Sequence, residues 1–484
     1  MIRISANEIE KAMGGKIIQG NAEEIVTNPV LDSREAKAES IMFCIKGEKT
    51  DGHNYIPSAA QNGCKVFVVE TYYKTEFLPE HKDKVKECTF IEVSNVKESL
   101  QKFARWYIEN RLNLKKTIAV TGSVGKTSTR DMLFAALNTK YVAGKNMKNY
   151  NSDLGLPITI LSFDEKTEVA VLEMGMDDFG QIHQLVNIAR PDIAVITNIG
   201  MSHMEILKSQ EGILKAKMEI TDFFTSNNVL IYNGNDLMLT KTAWEKGIID
   251  GKSYKVIEAG TFKNNPIKEQ FRGFIIDDVK DKGDKGISFK IETDCDNIQV
   301  NLSSPGAHNA VNACLALQVA DLCGVDLRAA SKALENAERT GNRLRILEKG
   351  GIKVIDDSYN AAPASMMSAI ATLTNSEAKR RIAILGDMNE LGTNSREEHK
   401  NVGIFAMEKG IDILITVGEK AKDIAEGAKN YCANKNIEKR VLSFEKREDL
   451  NPVINGIIEE GDCVLLKASR SLELENLTDI ILKG

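Results

Sequence analysis

Short apolar runs recur along the chain and alternate with stretches in which apolar residues return at helical spacing. Buried strands are predicted where short, mostly apolar runs stand between Gly or charged residues, namely at residues 41–45, 66–70, 117–121, 169–173, 193–197, 352–355, 382–385, 411–416 and 463–467. The helical spacing predicts helices at residues 56–62, 96–111 and 127–137. Strands that alternate with helices indicate mostly parallel sheets covered on both faces. The pattern therefore predicts an α/β protein.

The alternation also divides the chain of 484 residues into parts. Length alone predicts about three domains, at roughly 150 residues each. Residues 252–303 interrupt the alternation with Gly, Asp and Lys clusters, and we interpret them as a β-rich excursion. From about residue 341 the alternation restarts in the manner of a doubly wound, dinucleotide-type fold. The predicted domains are residues 1–94, 95–338 and 339–484.

The composition is that of an ordinary soluble globular protein, with 42% hydrophobic and 27% charged residues. The net charge of −6 gives no basic excess of the kind that binds nucleic acid or anionic membranes non-specifically. No segment has the length of a membrane-spanning apolar run, and the first residues lack the apolar core of a signal peptide. The eight cysteines include no C-x-x-C pair, so neither a zinc site nor a secreted disulfide framework is indicated. We therefore expect a cytoplasmic protein.

A glycine-rich turn between the strand predicted at 117–121 and the helix predicted at 127–137 has the context of a phosphate-binding loop. The residues expected to contact ATP there are Gly122, Ser123, Val124, Gly125, Lys126, Thr127 and Ser128. The glycines allow backbone N–H groups to face phosphate oxygens, and the helix adds the positive end of its dipole. Lys126 would bridge the β- and γ-phosphates, and the Thr127 hydroxyl would bind Mg²⁺. Because only two residues separate the glycines, where the usual pattern has four, a turn that precedes Lys-Thr by chance is the alternative.

The shortened loop T-G-S-V-G-K-T-S resembles that of the Mur ligase family, whose members form amide bonds with ATP in peptidoglycan assembly. Further segments resemble family motifs in the same order along almost the whole chain, at residues 149–157, 172–175, 197–205, 216–220 and 306–312. The resemblance implies a three-domain Mur ligase architecture: a small α/β UDP-binding domain, a central P-loop ATPase domain with a parallel sheet, and a C-terminal Rossmann-like domain. It also implies ATP and Mg²⁺ as cofactors.

The resemblance assigns catalytic roles to Lys126, Glu173, His203 and Lys217. Glu173, His203 and Thr127 would bind Mg²⁺, together with Lys217 if it is carbamylated, because a carbamate offers the oxygen ligands that Mg²⁺ prefers. Glu173 and His203 lie just beyond predicted strand ends, where open α/β sheets bind ligands. Taken alone, Glu173, His203 and Lys217 each also have an ordinary interpretation: a solvated Glu at a strand end, a hydrogen-bonded loop His and an exposed helix Lys.

Two N-terminal segments resemble the UDP-binding domain of those family members that add the third and later residues of the peptide. They are Asp32-Ser33-Arg34 and Asp51-Gly52-His53. The resemblance implies that Ser33 and Arg34 contact the UDP-sugar, for which a guanidinium is suited because it pairs with phosphate oxygens, and it adds Asn151 to this set. The alternative for Arg34 is a surface turn in which it pairs with Asp32.

The C-terminal segments at residues 356–363, 385–392 and 467–471 resemble the family branch that joins D-alanyl-D-alanine to UDP-N-acetylmuramoyl-tripeptide. The D-Y-A-H-x-P and D-N-P-R runs of the branch that adds the third amino acid do not occur. Two departures are present: Ala468 replaces the usual Gly, and Asn342 stands between Gly341 and Arg343, where the family has a G-R pair. The resemblance implies further ATP contacts from Asn309, Arg343, Asp357, Tyr359 and Asn360. Taken alone, His308 and Asn309 could cap the helix that begins near them.

The implied reaction has two steps. The tripeptide carboxylate attacks ATP to give an acyl phosphate and ADP, and the amine of D-alanyl-D-alanine then attacks the acyl carbon and expels phosphate. We expect a monomer with no nucleic-acid partner and no membrane-embedded segment. The alternatives that keep the central fold are another Mur-type ligase, such as the third-residue-adding enzyme, and a protein similar to folylpolyglutamate or cyanophycin synthetase. An alternative from another class is a nucleotide-regulated binding protein that lacks catalysis.

Overall fold

The computed structural model describes residues 3–76, 83–147, 149–264, 273–338, 340 and 344–483. The chain forms two compact units. The first comprises Met1–Ala119, Tyr141–Met176 and Gly180–Asp192, and the second comprises Val120–Lys140, Asp177–Phe179 and Ile193–Gly484. The strand Lys116–Thr121 begins in the first unit and ends in the second.

The first unit opens with a five-stranded mixed sheet. Its strands are hydrogen-bonded in the order Lys16–Gln19, Thr89–Val93, Val66–Glu70, Ser40–Phe43 and Asn28–Val30. The first pair is antiparallel and the other three pairs are parallel. A short antiparallel pair joins Ile4–Ser5 to Ile25–Val26. The helices of this part are Ala6–Met13, Ile56–Gln61, Tyr73–Glu76 and Val96–Asn110.

The rest of the first unit contains the two parallel strands Ala143–Lys145 and Val169–Glu173 and the helices Gly155–Ser162 and Gln181–Ala189. Strand Val169–Glu173 is buried along its whole length, as its unbroken apolar run predicts. Glu173 therefore lies at the carboxyl end of a buried strand.

The second unit contains the parallel strands Ile193–Ile196, Val229–Asn233 and Lys255–Ala259. Helix Lys126–Leu137 packs against helix His308–Leu322, which is apolar on nearly all sides and correspondingly buried. The other helices of this part are Met204–Leu207, Gln210–Met218, Ala243–Glu245 and Leu327–Leu334, with a π-helical turn at Met238–Thr242. The β-rich excursion is a four-stranded sheet in the order Thr261–Phe262, Ile275–Asp281, Ile287–Glu292 and Asn297–Leu302.

The C-terminal part of the second unit is a six-stranded sheet. Its order is Arg345–Lys349, Ile352–Asp356, Asp462–Lys467, Arg380–Gly386, Ile413–Val417 and Arg440–Phe444. The first pair is antiparallel and the remaining pairs are parallel. Alternate residues of one strand enter different apolar clusters: Ile382 and Ile384 belong to one, and Ala383 and Leu385 to the other. The helices are Pro363–Asn375, Ser395–Glu408, Ala421–Lys435, Arg447–Leu450 and Asn476–Lys483.

A turn of the four-stranded sheet, Gly283–Lys285, contacts this C-terminal part. The Asp284 carboxylate accepts a hydrogen bond from Lys353 Nζ at 2.5 Å, and the two side chains are only 7% and 14% exposed. The Asp284 N–H donates to Ser376 Oγ at 3.0 Å, and Lys285 pairs with Glu377 at 2.7 Å. The four-stranded sheet is thus tied to the C-terminal sheet by one buried and one exposed ion pair.

The predicted strands are confirmed, with bounds that differ by at most two residues at either end. Residues 252–303 are rich in strands as predicted, but their first strand, Lys255–Ala259, belongs to the parallel sheet and the separate four-stranded sheet begins at Thr261. The pattern missed several strands: Thr89–Val93 and Val229–Asn233 lie inside their sheets, whereas Arg345–Lys349 and Arg440–Phe444 lie at the two edges of the C-terminal sheet. Edge strands are half solvated, so their charged residues conceal the apolar pattern. Within the described ranges no helix is long and apolar enough to cross a membrane.

Candidate active site

The glycine-rich loop joins strand Lys116–Thr121 to helix Lys126–Leu137, as predicted. Gly125 precedes the helix with a φ of 86°, which glycine adopts without strain. A Cβ atom added to Gly122 would lie 1.9 Å from Thr197 Oγ1, and one added to Gly125 would lie 2.9 Å from Asn312 Oδ1. Close contacts therefore require both glycines.

Asn198 holds this loop from the neighbouring strand end. Its Nδ2 donates to the Val124 carbonyl at 2.8 Å, and its Oδ1 accepts from the Val124 N–H at 3.0 Å. Its backbone carbonyl accepts from the Ser123 N–H at 3.0 Å. Thr197 Oγ1 donates to the same Val124 carbonyl at 2.6 Å, and the Gly200 N–H donates to Ser123 Oγ at 2.8 Å. The loop conformation thus depends on residues 197–200 as well as on its own sequence.

Two further side chains hold residues 197–200 in place. Asn233 Nδ2 donates to the Thr197 carbonyl at 2.9 Å, and Asp236 Oδ2 accepts from the Ile199 N–H at 2.7 Å. Burial raises the pKa of Asp236, and hydrogen bonds from backbone N–H groups oppose that rise. The loop is therefore supported by two layers of hydrogen bonds.

A cavity of about 260 Å³ lies over the loop, within the second unit. The predicted ATP contacts that line it are Ser123, Val124, Gly125, Lys126, Ser128, Asp357, Tyr359 and Asn360. Lys126 Nζ donates to the carbonyls of Gly122 and Ser123, at 2.7 and 3.3 Å. The structure thus brings the glycine-rich loop and the segment 357–360 around one cavity, although more than 200 residues separate them in sequence.

The remaining predicted ATP contacts lie elsewhere. Thr127 and Asn309 line a smaller cavity of about 30 Å³, together with Ser128. Gly122 lines neither of these two cavities, although its carbonyl accepts the bond from Lys126. Arg343 lies outside the described residues, so its contact with ATP stays a prediction.

Lys467 organises the C-terminal wall of the cavity over the glycine-rich loop. It is 2% exposed and forms an ion pair with the Asp357 carboxylate. Its Nζ also donates to the Asn360 carbonyl at 3.1 Å. The Asp357 N–H donates to the Leu466 carbonyl at 3.0 Å, so the segment 357–360 is fixed to the end of strand Asp462–Lys467.

His308 lines the same cavity from helix His308–Leu322. Its Nδ1 lies 2.5 Å from Ser368 Oγ, and burial lowers its pKa to about 4. Asn309 Nδ2 donates to the Pro305 carbonyl at 2.7 Å, and its Oδ1 accepts from Asn312 Nδ2 at 3.2 Å. The N-cap position belongs to Ala307, so neither His308 nor Asn309 is the cap that their sequence position allowed.

Lys217 is buried in helix Gln210–Met218 and only 2% exposed. The interpretation of this residue as an ordinary exposed helix lysine is therefore wrong. Among the described residues its amine has no hydrogen-bond or ion-pair partner. Burial lowers the pKa of the Lys217 amine well below its usual value, and the charge of Lys126 lowers it further against the opposing charge of Asp177. Such an environment favours the neutral amine.

His203 follows strand Ile193–Ile196 and precedes the short helix Met204–Leu207. Its Nδ1 lies 2.9 Å from Glu390 Oε2 and 3.5 Å from Asp177 Oδ1. The hydrogen bond from the His203 ring lowers the pKa of Glu390. His203 is thus a hydrogen-bonded loop histidine, and this arrangement leaves Nε2 available because that atom has no hydrogen bond within the described chain.

Glu173 and Asn151 meet in the first unit. Glu173 is 3% exposed, and its Oε1 accepts from Asn151 Nδ2 at 2.8 Å. Asn146 brackets the same strand end, since its Oδ1 accepts from the Glu173 N–H at 2.6 Å and its Nδ2 donates to the Glu173 carbonyl at 3.2 Å. Glu173 is therefore a positioned, buried carboxylate and not the solvated strand end of the ordinary interpretation.

The predicted UDP contacts Ser33 and Arg34 also lie in the first unit. Ser33 is buried, whereas the Arg34 side chain is 88% exposed and pairs with Asp32 at 2.5 Å. This is the turn named as the alternative for Arg34. Neither residue makes a hydrogen bond with Asn151 in the described parts of the chain.

A second cavity, of about 290 Å³, adjoins the first, and both are lined by Ser202 and residues 359–362. It is also lined by Asn389, Glu390, Leu391, Ser469, Arg470 and Ser471. All of these residues belong to the second unit. The second cavity is rich in hydrogen-bonding groups and contains a guanidinium, so it can hold a small polar molecule with a carboxylate.

Several residues of the cavity over the glycine-rich loop were not predicted as site residues; they are Asn198, Asn233, His308, Asn312 and Lys467. Four of them lie in segments that resemble family motifs, so a signal was present in residues 197–205, 306–312 and 467–471. An amide side chain near a turn or helix start also has an ordinary structural role, which hides its contact with a distant loop. Nothing in the sequence singles out Asn233.

Three family models match the chain: "Mur ligase family, catalytic domain" at residues 26–107, "Mur ligase middle domain" at 120–320 and "Mur ligase, glutamate ligase domain" at 342–470. A Bacillus subtilis (strain 168) protein named UDP-N-acetylmuramoyl-tripeptide–D-alanyl-D-alanine ligase is 34% identical, with 100% of this chain and 99% of that protein covered. An Escherichia coli (strain K12) protein of the same name is 28% identical, with 96% and 100% covered.

The fold agrees with solved structures along the whole chain. A crystal structure of MurF from Acinetobacter baumannii matches with a TM-score of 0.86 at 26% identity and covers 100% of both chains. That of MurF ligase from Thermotoga maritima in complex with ADP matches with a TM-score of 0.75 at 25% identity, covering 95% of this chain and 97% of that one. The fold is the three-domain α/β architecture of these proteins. With three family models in order, a full-length relative at 34% identity and this shared architecture, the chain belongs to the Mur ligase family.

Proposed function

We propose that the chain is an ATP-dependent ligase that joins D-alanyl-D-alanine to UDP-N-acetylmuramoyl-tripeptide in cytoplasmic synthesis of peptidoglycan precursors. The observation that supports this most directly is the cavity shared by the phosphate loop and the segment 357–360, with a second, polar cavity beside it. Such an arrangement suits a reaction in which ATP activates one substrate and a small second substrate then captures it. The names of the Bacillus subtilis and Escherichia coli relatives specify the two substrates.

In the first half-reaction, the tripeptide carboxylate must approach the γ-phosphate of ATP although both groups are anionic. Lys126 at the mouth of the loop would neutralise charge on the β- and γ-phosphates. The N-terminal N–H groups of helix Lys126–Leu137 add donors and a positive dipole end. A carboxylate oxygen then bonds to the γ-phosphorus while the bond from phosphorus to the bridging oxygen breaks, and ADP carries away that electron pair.

Thr127, Glu173, His203 and Lys217 stay the proposed Mg²⁺ ligands, and Lys217 would offer the oxygen ligands that Mg²⁺ prefers only as a carbamate. The low pKa of the buried Lys217 amine supports this, because only the neutral amine attacks CO₂ to form the N–C bond of a carbamate and release a proton. Among the described residues no three His, Cys, Asp or Glu side chains are grouped to hold a metal, so the proposed site depends on Thr127 and Lys217 as well. Bound Mg²⁺ would supply positive charge next to the phosphates.

The second half-reaction needs a place for the dipeptide beside the acyl phosphate. The cavity of about 290 Å³ has this position, because it shares Ser202 and residues 359–362 with the nucleotide cavity. Arg470, which also pairs with Glu475, is suited to bind the dipeptide carboxylate through further N–H groups, and Asn389 adds an amide. The dipeptide amine would then attack the acyl carbon, lose a proton and expel phosphate.

The UDP-sugar would be held by the first unit. Ser33 and Arg34 stay the proposed contacts; Arg34 would exchange its exposed bond to Asp32 for phosphate oxygens. Asn151, which donates a hydrogen bond to Glu173, is proposed to contact the reacting end of the UDP-sugar substrate.

The test is ADP release measured with each substrate omitted in turn. We expect release that requires both UDP-N-acetylmuramoyl-tripeptide and D-alanyl-D-alanine, together with a pentapeptide product in the mass spectrum. Equal ADP release without the dipeptide, and no pentapeptide product, would refute the proposal. The K126A variant should lose turnover but still bind the UDP-sugar, because Ser33 and Arg34 belong to the other unit.

Carbamylation of Lys217 has a separate test with a matched control. Lys215 lies two residues earlier in the same helix and is exposed. With ¹³C-bicarbonate and Mg²⁺, the wild type and K215A should show a carbamate signal by ¹³C NMR, and K217A should not. A signal that persists in K217A would place the carbamate elsewhere.

A further inference from the structure

The His203 ring is hydrogen-bonded to a carboxylate of the C-terminal part of the chain, Glu390. Glu390 lies 187 residues after His203 in the sequence and follows strand Arg380–Gly386, yet its Oε2 is 2.9 Å from His203 Nδ1. Asp177 is the second carboxylate near the same nitrogen, at 3.5 Å, which is too long for a good hydrogen bond. Glu390 is therefore the acceptor that the ring nitrogen uses.

Both partners have unusual backbones. His203 has a φ of 63° and Glu390 a φ of 67°, left-handed values that cost energy in residues other than glycine. The loop of Glu390 also packs closely on the residues after His203: a Cβ atom at Gly392 would lie 3.5 Å from the Glu205 Cα. Strained residues persist where their surroundings hold them in place, so both backbone positions belong to a built arrangement, from which the half-exposed Glu390 side chain reaches the His203 ring.

A neutral imidazole has one protonated and one unprotonated nitrogen, and the hydrogen bond made by one nitrogen decides the state of the other. Histidines that bind metals almost always donate the second ring N–H to a carboxylate, a carbonyl or water, which fixes both tautomer and orientation. With Nδ1–H donated to Glu390, His203 would present the Nε2 lone pair. That is the nitrogen without a hydrogen bond in the described parts of the chain.

We propose that Glu390 is a positioning residue that fixes His203 in the Nδ1–H tautomer, so that Nε2 is ready to bind Mg²⁺. This inference rests on the proposed function for the metal role of His203. It adds that the C-terminal part of the chain, which also supplies Asp357 and Lys467 to the nucleotide cavity, completes the metal ligand. Assembly of the nucleotide cavity and orientation of the metal ligand are then one event.

The tautomer is measured directly by ¹⁵N NMR of the full chain labelled at histidine. The sequence has six histidines, so the ring signals are few, and H203Q assigns the one of interest. At about pH 8, above the usual titration range of histidine, the wild type should show a protonated Nδ1 and an unprotonated Nε2 for His203. E390A should move the ring towards the Nε2–H form that imidazole prefers in water. E390Q should retain the Nδ1–H form, because its amide oxygen still accepts a hydrogen bond.

Metal affinity provides a second measurement on the same variants. Mn²⁺ binding in the presence of ADP, followed by electron paramagnetic resonance, should weaken about 10–100-fold in E390A. E390Q should stay much closer to the wild type, and E397A, an exposed glutamate on the following helix, should not differ from it. Thermal unfolding of each variant separates a lost contact from a lost fold, and E390Q keeps the test valid if E390A fails to fold.

Two results would overturn the proposal. One is an unchanged His203 tautomer in folded E390A. The other is a loss of Mn²⁺ affinity in E390Q as large as in E390A with the tautomer unchanged, which would make Glu390 a direct ligand. Failure of the ligase assay in the wild type would refute the proposed function but would leave the tautomer result standing, so the two failures are distinguishable.

Discussion

Replacing Asn198 by alanine removes the two side-chain hydrogen bonds that hold Val124, at 3.0 and 2.8 Å. The Val124 carbonyl still accepts a hydrogen bond from Thr197 Oγ1, whereas the Val124 N–H loses its acceptor, Asn198 Oδ1. A net hydrogen bond contributes about 1 kcal/mol, and a buried group left unpaired costs about 1–3 kcal/mol. Because nucleotide binding must then order the loop, we expect ADP to bind with roughly 1–3 kcal/mol less free energy, or about 5–150-fold more weakly.

Isothermal titration calorimetry with ADP measures this loss. N198D should bind ADP more weakly still, because it keeps an acceptor for the Val124 N–H but turns a negative oxygen towards the Val124 carbonyl and the phosphates. N227A is the matched control, since Asn227 is an exposed asparagine of the same unit. Thermal unfolding of each variant shows whether the change is confined to the loop.

The reasoning is refuted if N198A binds ADP as tightly as the wild type and N198D binds no more weakly than N198A. The loop would then keep its shape through the backbone bond from Ser123 to Asn198 and the contact of Thr197 alone. A loss of affinity that N227A shares equally would also contradict it.

Three further predictions follow from separate contacts. R470A should raise the KM for D-alanyl-D-alanine about 10–100-fold, as expected for the loss of a charged hydrogen bond, and leave the KM for ATP unchanged. R440A, a change at an exposed arginine, is the control. An equal rise in KM for both substrates would contradict the placement of the dipeptide. D284N should lower the free energy of unfolding, measured in urea, by about 3–5 kcal/mol because it leaves the buried Lys353 charge unpaired. The double variant D284N/K353M should recover most of that stability. No recovery would show that the unpaired Lys353 charge is not the cause. The pKa of His308 is about 4 in the folded state and 6.5 in the unfolded state, so the unfolded state binds a proton at higher pH than the folded state does. The stability of the fold should therefore fall as the pH drops from 7.5 to 5, by about 2 kcal/mol. The stability of H308Q should fall by that much less over the same range, and an identical pH dependence in wild type and variant would contradict the assignment.

Although the interior strands Thr89–Val93 and Val229–Asn233 were missed, most central strands were predictable because burial on both faces leaves an uninterrupted apolar run, as in Val169–Glu173. The edge strands were not, since Arg345–Lys349 and Arg440–Phe444 combine apolar residues with exposed charges. The glycine-rich loop was predictable for a different reason: its chemistry lies in consecutive residues, so spacing alone identifies it.

The rest of the candidate site depends on contacts between distant segments. A lysine in a helix is most often exposed, and nothing local to Lys217 predicts that it is buried with no partner among the residues that the structure describes. Asn198 holds a loop more than 70 residues earlier in the chain, and Glu390 holds a histidine of another segment. Pairings of this kind follow from the arrangement of the strands, which a periodic pattern does not specify.

The buried pair of Asp284 and Lys353 limits how freely related ligases could exchange their C-terminal parts. A family-model boundary falls at residue 342, so a fragment that begins there keeps Lys353 and Ser376 but loses the turn Gly283–Lys285 that satisfies them. A chimera joined at this point would place a buried ammonium beside whatever turn the other parent supplies. We therefore expect a stable chimera to exchange the C-terminal sheet together with this hairpin, and we expect substitutions at residues 284 and 353 to accompany each other among relatives.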